Sequence, residues 1–488
     1  MSKILQTILF FICLPVITFS GCTFGGPAES PVTPPPEQSR VKLMVDWANS
    51  GIQGIPDGTA SIGVSAAKDF QDELFINKPQ TSLVFHLPCG ENTIRAKAYT
   101  GTKGAGTVLK TTEAVVTVLA NQVNEIKINF NGEQQPAVPM IAASSLFTAV
   151  LKEDGTVWTW GLNDSGQLGD STYTSRNTPV QVPGLTGVIA IAAGADHCLA
   201  LRKDKTVWAW GGNKYGQLGI KSSAGSKTPV QVEGLTGIMA IAAGDGFSLA
   251  VDDDGTVWAW GLNEDGQLGT GATVNSSLPV QVKGLADIRT VVAGEKHVLA
   301  LTGTQKVYAW GSGSSGQLGN GEETNRNTPV LIEAISGIKI IAAGASHSLA
   351  VKNDGTVWAW GSNRYGQLGN GGTTDSSLPV QIIGLKDIMG LAGGGCHSLA
   401  LKSDGTVLSW GYNRSGQLGN GTNDQSKVPA PIKEFTGCIK ITAGESHSIA
   451  LKTDGTVWSW GDNSSGALGD GSGTAKNSPL KITGLALK

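Results

Sequence analysis

The sequence predicts an all-β protein in which a seven-bladed β-propeller follows a small β-sandwich domain. The first observation is a repeat, because tryptophan recurs every 50 residues from Trp160 to Trp460 and proline recurs with the same period from Pro179 to Pro479. The second is composition, since 68 glycines and only 15% charged residues favour short strands and turns over helical bundles. The third is that each of the seven repeats holds four strand-like segments, as one propeller blade does. The repeated tryptophans, which we expect to be structural, are Trp160, Trp210, Trp260, Trp310, Trp360, Trp410 and Trp460.

The second repeat shows the strand pattern. Strands are predicted at 189–194, 197–202, 206–210 and 229–232. The first is rich in alanine and glycine, which fit beside a crowded propeller axis better than larger side chains do. Asp-Gly pairs such as Asp254-Gly255 are typical of the hairpin turn between the second and third strands. The second and fourth repeats carry Asp204-Lys205 and Thr304-Gln305 instead, so we expect their turns to differ.

The repeat also predicts how the blades pack and how the ring closes. Trp158 and Trp160 lie two residues apart on one strand face, where we expect both rings to fill the wedge between neighbouring blades. Residues 478–485 match the outer part of a repeat, whereas the first repeat begins at Ile141 without such a segment before it. We therefore expect the propeller, assigned to residues 139–488, to close with its C-terminal strand against the first blade.

Two motifs, TVWAWGLNEDGQLGTG and IIAAGASHSLAVKNDGTVWAWG, resemble the repeats of the regulator of chromosome condensation family. The resemblance covers about 350 residues and all seven repeats, and it implies a seven-bladed propeller. The best-known eukaryotic member of that family is a guanine-nucleotide exchange factor for a small nuclear GTPase. Some secreted bacterial members bind proteins instead, as the propeller-type β-lactamase inhibitor does.

Residues 1–21 resemble a bacterial lipoprotein signal peptide. Lys3 precedes an apolar core, 4–19, that is short for a membrane-spanning helix and is followed by Ser20-Gly21-Cys22. Cleavage before Cys22 would leave its sulfur as the lipid attachment site, and an ordinary secretory signal is the alternative reading. Residues 22–39 contain five prolines and form an extended tether of roughly 55 Å. These features predict an exported protein that is lipid-anchored to a bacterial membrane, at the outer membrane or the cell surface.

Residues 40–131 do not share the 50-residue period. They contain six or seven short segments of alternating apolar residues, separated by glycine, proline and asparagine. This pattern predicts a β-sandwich of the immunoglobulin or transthyretin type, to which we assign the role of a spacer.

Composition and motif spacing argue against several classes of function. A net charge of −3 and a pI near 6.1 make nucleic acid an unlikely partner. No cofactor and no metal are expected, because the histidines occupy one repeat position and diverge around a ring instead of converging on one ion. Phenylalanine replaces histidine at two of the seven positions, which indicates packing. These positions are Phe147, His197, Phe247, His297, His347, His397 and His447.

The residues that differ between repeats are the better candidates for function. In an up-and-down blade, the turn before the histidine and the loop after the second tryptophan lie at the same end of the propeller. Tyrosine and arginine there are typical anchors of protein interfaces. The candidate binding face comprises Asp196, Asp245, Glu295, Lys296 and Glu445 in the turns, and Lys214, Tyr215, Glu264, Asp265, Arg364, Tyr365, Tyr412 and Arg414 in the loops.

These observations favour a monomeric binding module that docks a protein, or alternatively a glycan, and that is not an enzyme. An exchange-factor-like regulator is a second hypothesis, which rests on family analogy alone. An extracellular hydrolase or lyase is a third, because propeller active sites can be built from scattered loop residues.

Overall fold

A computed structural model of the chain describes residues 137–487 in full and, before them, the backbone of eight strands between residues 10 and 127. The chain divides into two compact units, 1–135 and 136–488. The described part of the chain contains only strands, turns and irregular segments. It therefore holds no helix that is long and apolar enough to span a membrane.

The first unit contains two four-stranded sheets, with strand orders β1-β8-β2-β5 and β4-β3-β6-β7 once the strands are numbered along the chain. Its strands are β1 Phe10–Ile12, β2 Gln38–Met44, β3 Ser61–Ala66, β4 Leu74–Asn77, β5 Ser82–Pro88, β6 Gly90–Tyr99, β7 Val108–Val118 and β8 Gln122–Lys127. The packing of these sheets as a sandwich stays a prediction. Cys22, the tether up to residue 37 and the signal segment other than β1 lie outside the described residues, and the last two residues assigned to the tether begin β2.

The second unit is the predicted propeller of seven antiparallel blades, each built from four consecutive strands. The first four blades, with each inner strand first, are β9–β12 (Met140–Ala143, Phe147–Leu151, Val157–Gly161, Arg176–Gln181), β13–β16 (Val188–Ala193, His197–Arg202, Val207–Gly211, Ser226–Gln231), β17–β20 (Ile238–Ala243, Phe247–Asp252, Val257–Gly261, Ser276–Gln281) and β21–β24 (Ile288–Ala293, His297–Thr302, Val307–Gly311, Arg326–Leu331). The remaining three are β25–β28 (Ile338–Ala343, His347–Lys352, Val357–Gly361, Ser376–Ile382), β29–β32 (Ile388–Gly393, His397–Lys402, Val407–Gly411, Ser426–Pro431) and β33–β36 (Cys438–Ala443, His447–Lys452, Thr456–Gly461, Lys476–Ala486).

The strand sequences fit their places in each blade. The second strand is covered on both faces, so a sequence such as Phe147–Leu151 is buried at every residue. The inner strands keep small residues where they crowd around the axis. A register shift interrupts the pairing of the third and fourth strands in each blade, between Thr159 and Gly161 in the first. Gly161 has φ +111°, and a Cβ there would lie 2.5 Å from the Leu146 carbonyl oxygen, so the irregularity requires glycine.

The C-terminal strand differs from the expectation that it would close the ring against the first blade. β36 pairs with β35 and is the outer strand of the seventh blade, while the first blade has its own outer strand, β12. Ile482 and Leu485 of β36 pack in one core cluster with Ile141, Val150 and Trp160 of the first blade. Just after the strand, the Leu487 carbonyl accepts a hydrogen bond from the Glu153 N–H at 2.8 Å. The ring is therefore closed by contacts between complete blades and not by a shared sheet.

The turns that lack glycine also differ from expectation, because they keep the shape of the Asp-Gly turns. Lys205 and Gln305 adopt φ values of +63° and +65°, close to the +77° of Gly255. Both side chains reach the next blade, where Lys205 forms an ion pair of 2.8 Å with Asp253 and Gln305 accepts a hydrogen bond from Asn353. These exposed contacts accompany a left-handed backbone that a residue with a side chain adopts at a cost.

Candidate recognition face

The repeated tryptophans hold neighbouring blades together. The seven residues from Trp160 to Trp460 are fully buried, and each indole N–H donates to a main-chain carbonyl of the preceding blade. Trp260, for example, donates to the Gln217 carbonyl at 2.8 Å. The first tryptophan of the pair is different, because Trp158 is only half-buried and donates to Thr156 at 3.2 Å within its own blade. The wedge between blades is thus filled mainly by the second tryptophan.

The histidines also connect neighbouring blades, four of them through a hydroxyl 51 residues further along the chain. His297 Nε2 lies 2.9 Å from Ser348 Oγ, and that hydroxyl donates to the Gln317 carbonyl at 2.8 Å. The last blade closes the series on the first, since His447 Nε2 lies 3.1 Å from Thr148 Oγ1. The remaining pairs are His197 with Ser248, His347 with Ser398 and His397 with Ser448.

The two blades without histidine show that this pairing is encoded in the sequence. Phe147 and Phe247 occupy the histidine position, and the residues 51 positions later are Cys198 and Val298. A hydroxyl facing phenylalanine would lack the partner that an imidazole provides, so an apolar residue replaces it. Sequence reasoning predicted a packing role for the histidines but missed this correlated change, which a comparison of positions 51 apart would have revealed.

The hydrogen-bond network also fixes the protonation of the histidines. Because the serine hydroxyl donates to a carbonyl, it accepts from an imidazole that carries its proton on Nε2. Burial lowers the pKa of His297 and His397 to about 3, with a further contribution from the neighbouring His347. Burial likewise lowers the pKa of His347 and His447 to about 4. These four rings are therefore neutral structural groups at physiological pH.

A second ring of hydrogen bonds joins the turns beside the axis. The Asp245 N–H donates to the Glu295 carbonyl at 2.9 Å, and the Glu295 N–H donates to the Ala345 carbonyl at 3.2 Å. The Glu445 N–H donates to the Ser144 carbonyl at 3.2 Å, and Ser144 Oγ donates to the Gly194 carbonyl at 2.6 Å. The first two bonds run from the third blade through the fourth to the fifth, and the other two run from the seventh blade through the first to the second, so they fix the turns that carry the variable residues.

The long loops after the second tryptophan are equally well fixed. Asn263 Oδ1 accepts from the Leu268 N–H at 2.9 Å, and its Nδ2 donates to two carbonyls across the loop. Gln267 Oε1 accepts from the Asp265 N–H at 3.0 Å. The variable residues Glu264 and Asp265 therefore lie between repeated residues that hold the loop rigid, which is a suitable platform for recognition.

The structure brings the predicted candidates to one end of the propeller, which we call the recognition face. Five of them line the mouth of a cavity on the propeller axis, namely Asp245, Glu295, Tyr365, Tyr412 and Glu445. The others lie outside this mouth. Glu264 and Arg414 are exposed loop residues, and the Arg414 main-chain carbonyl accepts from Asn423.

Several candidates contact one another across the recognition face. The ring centroids of Tyr365 and Tyr412, from adjacent blades, are 4.7 Å apart. The Arg364 guanidinium lies 5.7 Å from the centre of the Tyr365 ring, and the Lys214 ammonium lies 5.1 Å from that of Tyr215. Two further contacts join a turn to a loop: Lys296 with Asp265 at 3.6 Å, and Asp196, which accepts from Gln217 at 3.0 Å.

The carboxylates at the cavity mouth repel one another. Partial burial raises the pKa of Asp245, and the nearby Asp196 carboxylate raises it further, against the opposing effect of Lys296. Partial burial also raises the pKa of Glu295, as do Asp245 and Glu445, again opposed by Lys296. Neighbouring carboxylates thus add to the effect of burial on Asp245 and Glu295, and Lys296 only partly opposes them.

The described residues include no group of three histidine, cysteine, aspartate or glutamate side chains placed to hold a metal ion. Cys198 and Cys438 are buried free thiols, and burial raises the pKa of Cys438 to about 11. Burial also raises the pKa of Cys396 at the cavity mouth, with Glu445 and Glu295 contributing. Raised thiol pKa values suit packing more than nucleophilic chemistry.

The fold and face together define a closed seven-bladed propeller in which the residues that repeat from blade to blade join the blades, while the residues that differ between blades gather at one end. The chain belongs to the RCC1-like domain family, whose model matches residues 90–395 and 232–488. The human E3 ubiquitin-protein ligase HERC2 is 44% identical over 68 residues, which are 14% of this chain. The chain spans about 1% of the length of HERC2, and the same holds for the mouse protein.

Solved structures show the same architecture. Human WBSCR16 is 26% identical with a TM-score of 0.61, and the alignment covers 67% of this chain and 94% of that protein. Yeast RCC1 (Prp20), in its structure with Kap60, is 25% identical with a TM-score of 0.62 and coverage of 72% and 85%. A second structure of Prp20p from Saccharomyces cerevisiae, described with its binding to Gsp1p and histones, is 25% identical with a TM-score of 0.62 and coverage of 70% and 87%.

Proposed function

We propose that this protein is a binding module whose recognition face docks a protein partner without catalysing a reaction. The observation that carries the proposal is that, within each repeat, the residues that hold the fold together are different from the residues exposed on the recognition face. Tryptophan, histidine and serine join the blades, and asparagine and glutamine hold the loops, whereas the residues between them vary and gather at one end. Such a fixed frame with a variable surface is typical of repeat proteins that bind other proteins.

The comparisons support a protein as the class of partner. The yeast relative Prp20 is described with Kap60, with Gsp1p and with histones, all of which are proteins. The chemistry of the face agrees, because tyrosines 4.7 Å apart, flanked by arginine, offer rigid amphipathic anchors at its centre. Which protein binds here is a question for capture experiments.

Changing Arg364 and Tyr365 together to alanine is expected to weaken capture of the partner at least tenfold. The double change removes an exposed guanidinium and a ring at the centre of the face, while the main-chain bonds that shape the loop stay in place. Photo-crosslinking on intact cells, followed by mass spectrometry, would identify the partner, and purified proteins would then give the affinity. The thermal midpoint should stay close to that of the native chain.

A control variant with Glu333→Ala and Lys339→Ala changes two exposed residues at the opposite end of the propeller. This variant should capture the partner as the native chain does. Equal capture by the native chain and the Arg364/Tyr365 variant would remove the recognition face from consideration as the docking site.

We further propose that the chain is exported and anchored to a bacterial membrane by lipid on Cys22. Expressed in a bacterium, the native chain should take up a labelled fatty acid and sediment with membranes. Cys22→Ala should abolish both, whereas Cys13→Ala, in the apolar core of the signal, should abolish neither. A Cys22→Ala protein that keeps its label and stays with the membranes would contradict the anchor.

A further inference from the structure

A cavity of about 1010 Å³ lies on the propeller axis and opens on the recognition face. Its walls come from the inner strands and are made of small apolar residues such as Ala193, Ala243 and Ala443. Its mouth is formed by the turns at the ends of those strands. A cavity of this size can take a long side chain or a short peptide segment.

Three carboxylates stand at the mouth in one repeat position, on Asp245, Glu295 and Glu445. The other four blades place only serine, alanine or glycine there, at Ser145, Ala195, Ala345 and Gly395. Within residues 137–487, no hydrogen bond or ion pair reaches the three side-chain carboxylates, and only the main-chain N–H groups of these residues are bonded, in the ring of turns. Lys296, the basic residue of these turns, pairs with Asp265. The three carboxylates therefore lack a direct partner within this part of the chain, and Lys296, at longer range, only partly offsets the charges of Asp245 and Glu295.

The two tyrosines at the mouth, like the carboxylates, are side chains that can bind a cation. Tyr365 and Tyr412 both line the cavity, and their rings pack at 4.7 Å. Tyrosines on this face already accept cations, as the contacts of Arg364 with Tyr365 and of Lys214 with Tyr215 show. Carboxylates beside tyrosine faces form the combination that binds guanidinium and ammonium groups.

Gln417 has an unused hydrogen-bond donor, although its side chain does not itself line the cavity. Its Oε1 accepts from the Ser415 N–H at 3.0 Å, as the Oε1 of Gln217 does from Tyr215, so the two amides share one orientation. Gln217 Nε2 donates to Asp196, and the residue at the equivalent position before Gln417 is Cys396, which lines the cavity. Gln417 Nε2 is fully buried and has no partner within the described residues.

We propose that the axial cavity receives a lysine or arginine side chain carried on a peptide segment of the docked protein. The cationic group meets the carboxylates of Asp245, Glu295 and Glu445, its aliphatic stem lies against the alanine walls, and Tyr365 and Tyr412 flank it. The inference rests on the proposed function, because it names the chemistry by which a protein partner engages the recognition face.

The test uses the full chain and fluorescein-labelled hexa-arginine, with hexa-citrulline as the uncharged control peptide. Fluorescence anisotropy in 0.1 M salt should show binding of hexa-arginine only. The variant Asp245→Asn/Glu295→Gln/Glu445→Gln should weaken that binding at least tenfold. The matched variant Glu153→Gln/Asp254→Asn/Glu333→Gln removes three exposed charges at the opposite end and should weaken it less than twofold.

Equal weakening by the two triple variants would mean that the peptide senses only net charge, and it would overturn the proposal. Binding of hexa-citrulline as tightly as hexa-arginine would overturn it as well. Capture of the protein partner separates this inference from the proposed function. If the mouth variant captures the partner normally while the Arg364/Tyr365 variant does not, the recognition face stands and the cationic occupant does not.

Discussion

Ser348→Val is expected to destabilise the propeller by about 2–3 kcal/mol, and the additional change His297→Phe is expected to restore most of that loss. The single change leaves the His297 N–H buried with no acceptor, because Ser348 Oγ is its partner at 2.9 Å. The double change recreates a pair that the chain already uses between other blades, Phe247 with Val298. The two substitutions should therefore show a coupling energy of about 2 kcal/mol.

Equilibrium unfolding in urea, followed by tryptophan fluorescence, measures this cycle, since the seven fully buried tryptophans report on blade contacts. His397→Phe with Ser448→Val provides an independent repeat of the experiment at another interface. A single Ser348→Val variant as stable as the native chain, or a double variant as unstable as the sum of the two single ones, would show that the pairing carries no energy.

Lowering the pH from 7 to 4.5 is expected to unfold the propeller, and this is the second large effect. The pKa values of His297, His347, His397 and His447 in the folded chain are about 3 to 4, well below the ordinary value of 6.5. The unfolded chain therefore binds protons near pH 6.5, where the folded chain does not. The stability that comes from these neutral rings is fully present above pH 6.5 and is lost as the pH falls towards 4.

The magnitude follows from proton linkage. Four histidines that bind protons only in the unfolded chain give a slope on the order of 5 kcal/mol per pH unit below pH 6. Asp245 and Glu295 oppose this slope, since their raised pKa values mean that protonation relieves repulsion in the folded chain. Urea midpoints measured between pH 7 and 5 would give the slope. The double variant His297→Phe/Ser348→Val should reduce it by about one quarter, because one of the four titrating rings is removed. A slope near zero would contradict the neutral imidazole network.

The period of 50 residues was sufficient to predict the propeller and its blade number, because a strand-turn pattern that recurs in register allows few other arrangements. The rule that a left-handed turn position requires glycine gave the wrong shape for two hairpin turns. The turns at Lys205 and Gln305 lack glycine yet keep the left-handed shape, since both side chains are held by the next blade. No reading of the turn alone could supply those contacts.

The sequence predicted which residues belong to the recognition face, but it did not predict how near each of them lies to the propeller axis. Alternation of turns along an up-and-down blade places Asp245 and Tyr365 at one end, so the sequence predicted that they share a surface. Their distances from the axis depend on blade tilt and loop path. The structure brings Glu295 and Glu445 to the cavity mouth and leaves Glu264 and Arg414 in the surrounding loops.

The sequence by itself determined the strands, the blade count and the identity of the residues that join the blades, because each depends on a periodic pattern. It also carried the histidine–serine pairing, in the correlated change to Phe147 with Cys198 and Phe247 with Val298. Only the tertiary structure decided which blade the C-terminal strand completes and which acidic residues meet at the axis. The acidic residues are 50 to 200 positions apart in the chain, so their distances are set by closure of the whole ring. The pairing of β36 with β35 is local in the chain, but the sequence did not show at which strand the blades begin and end.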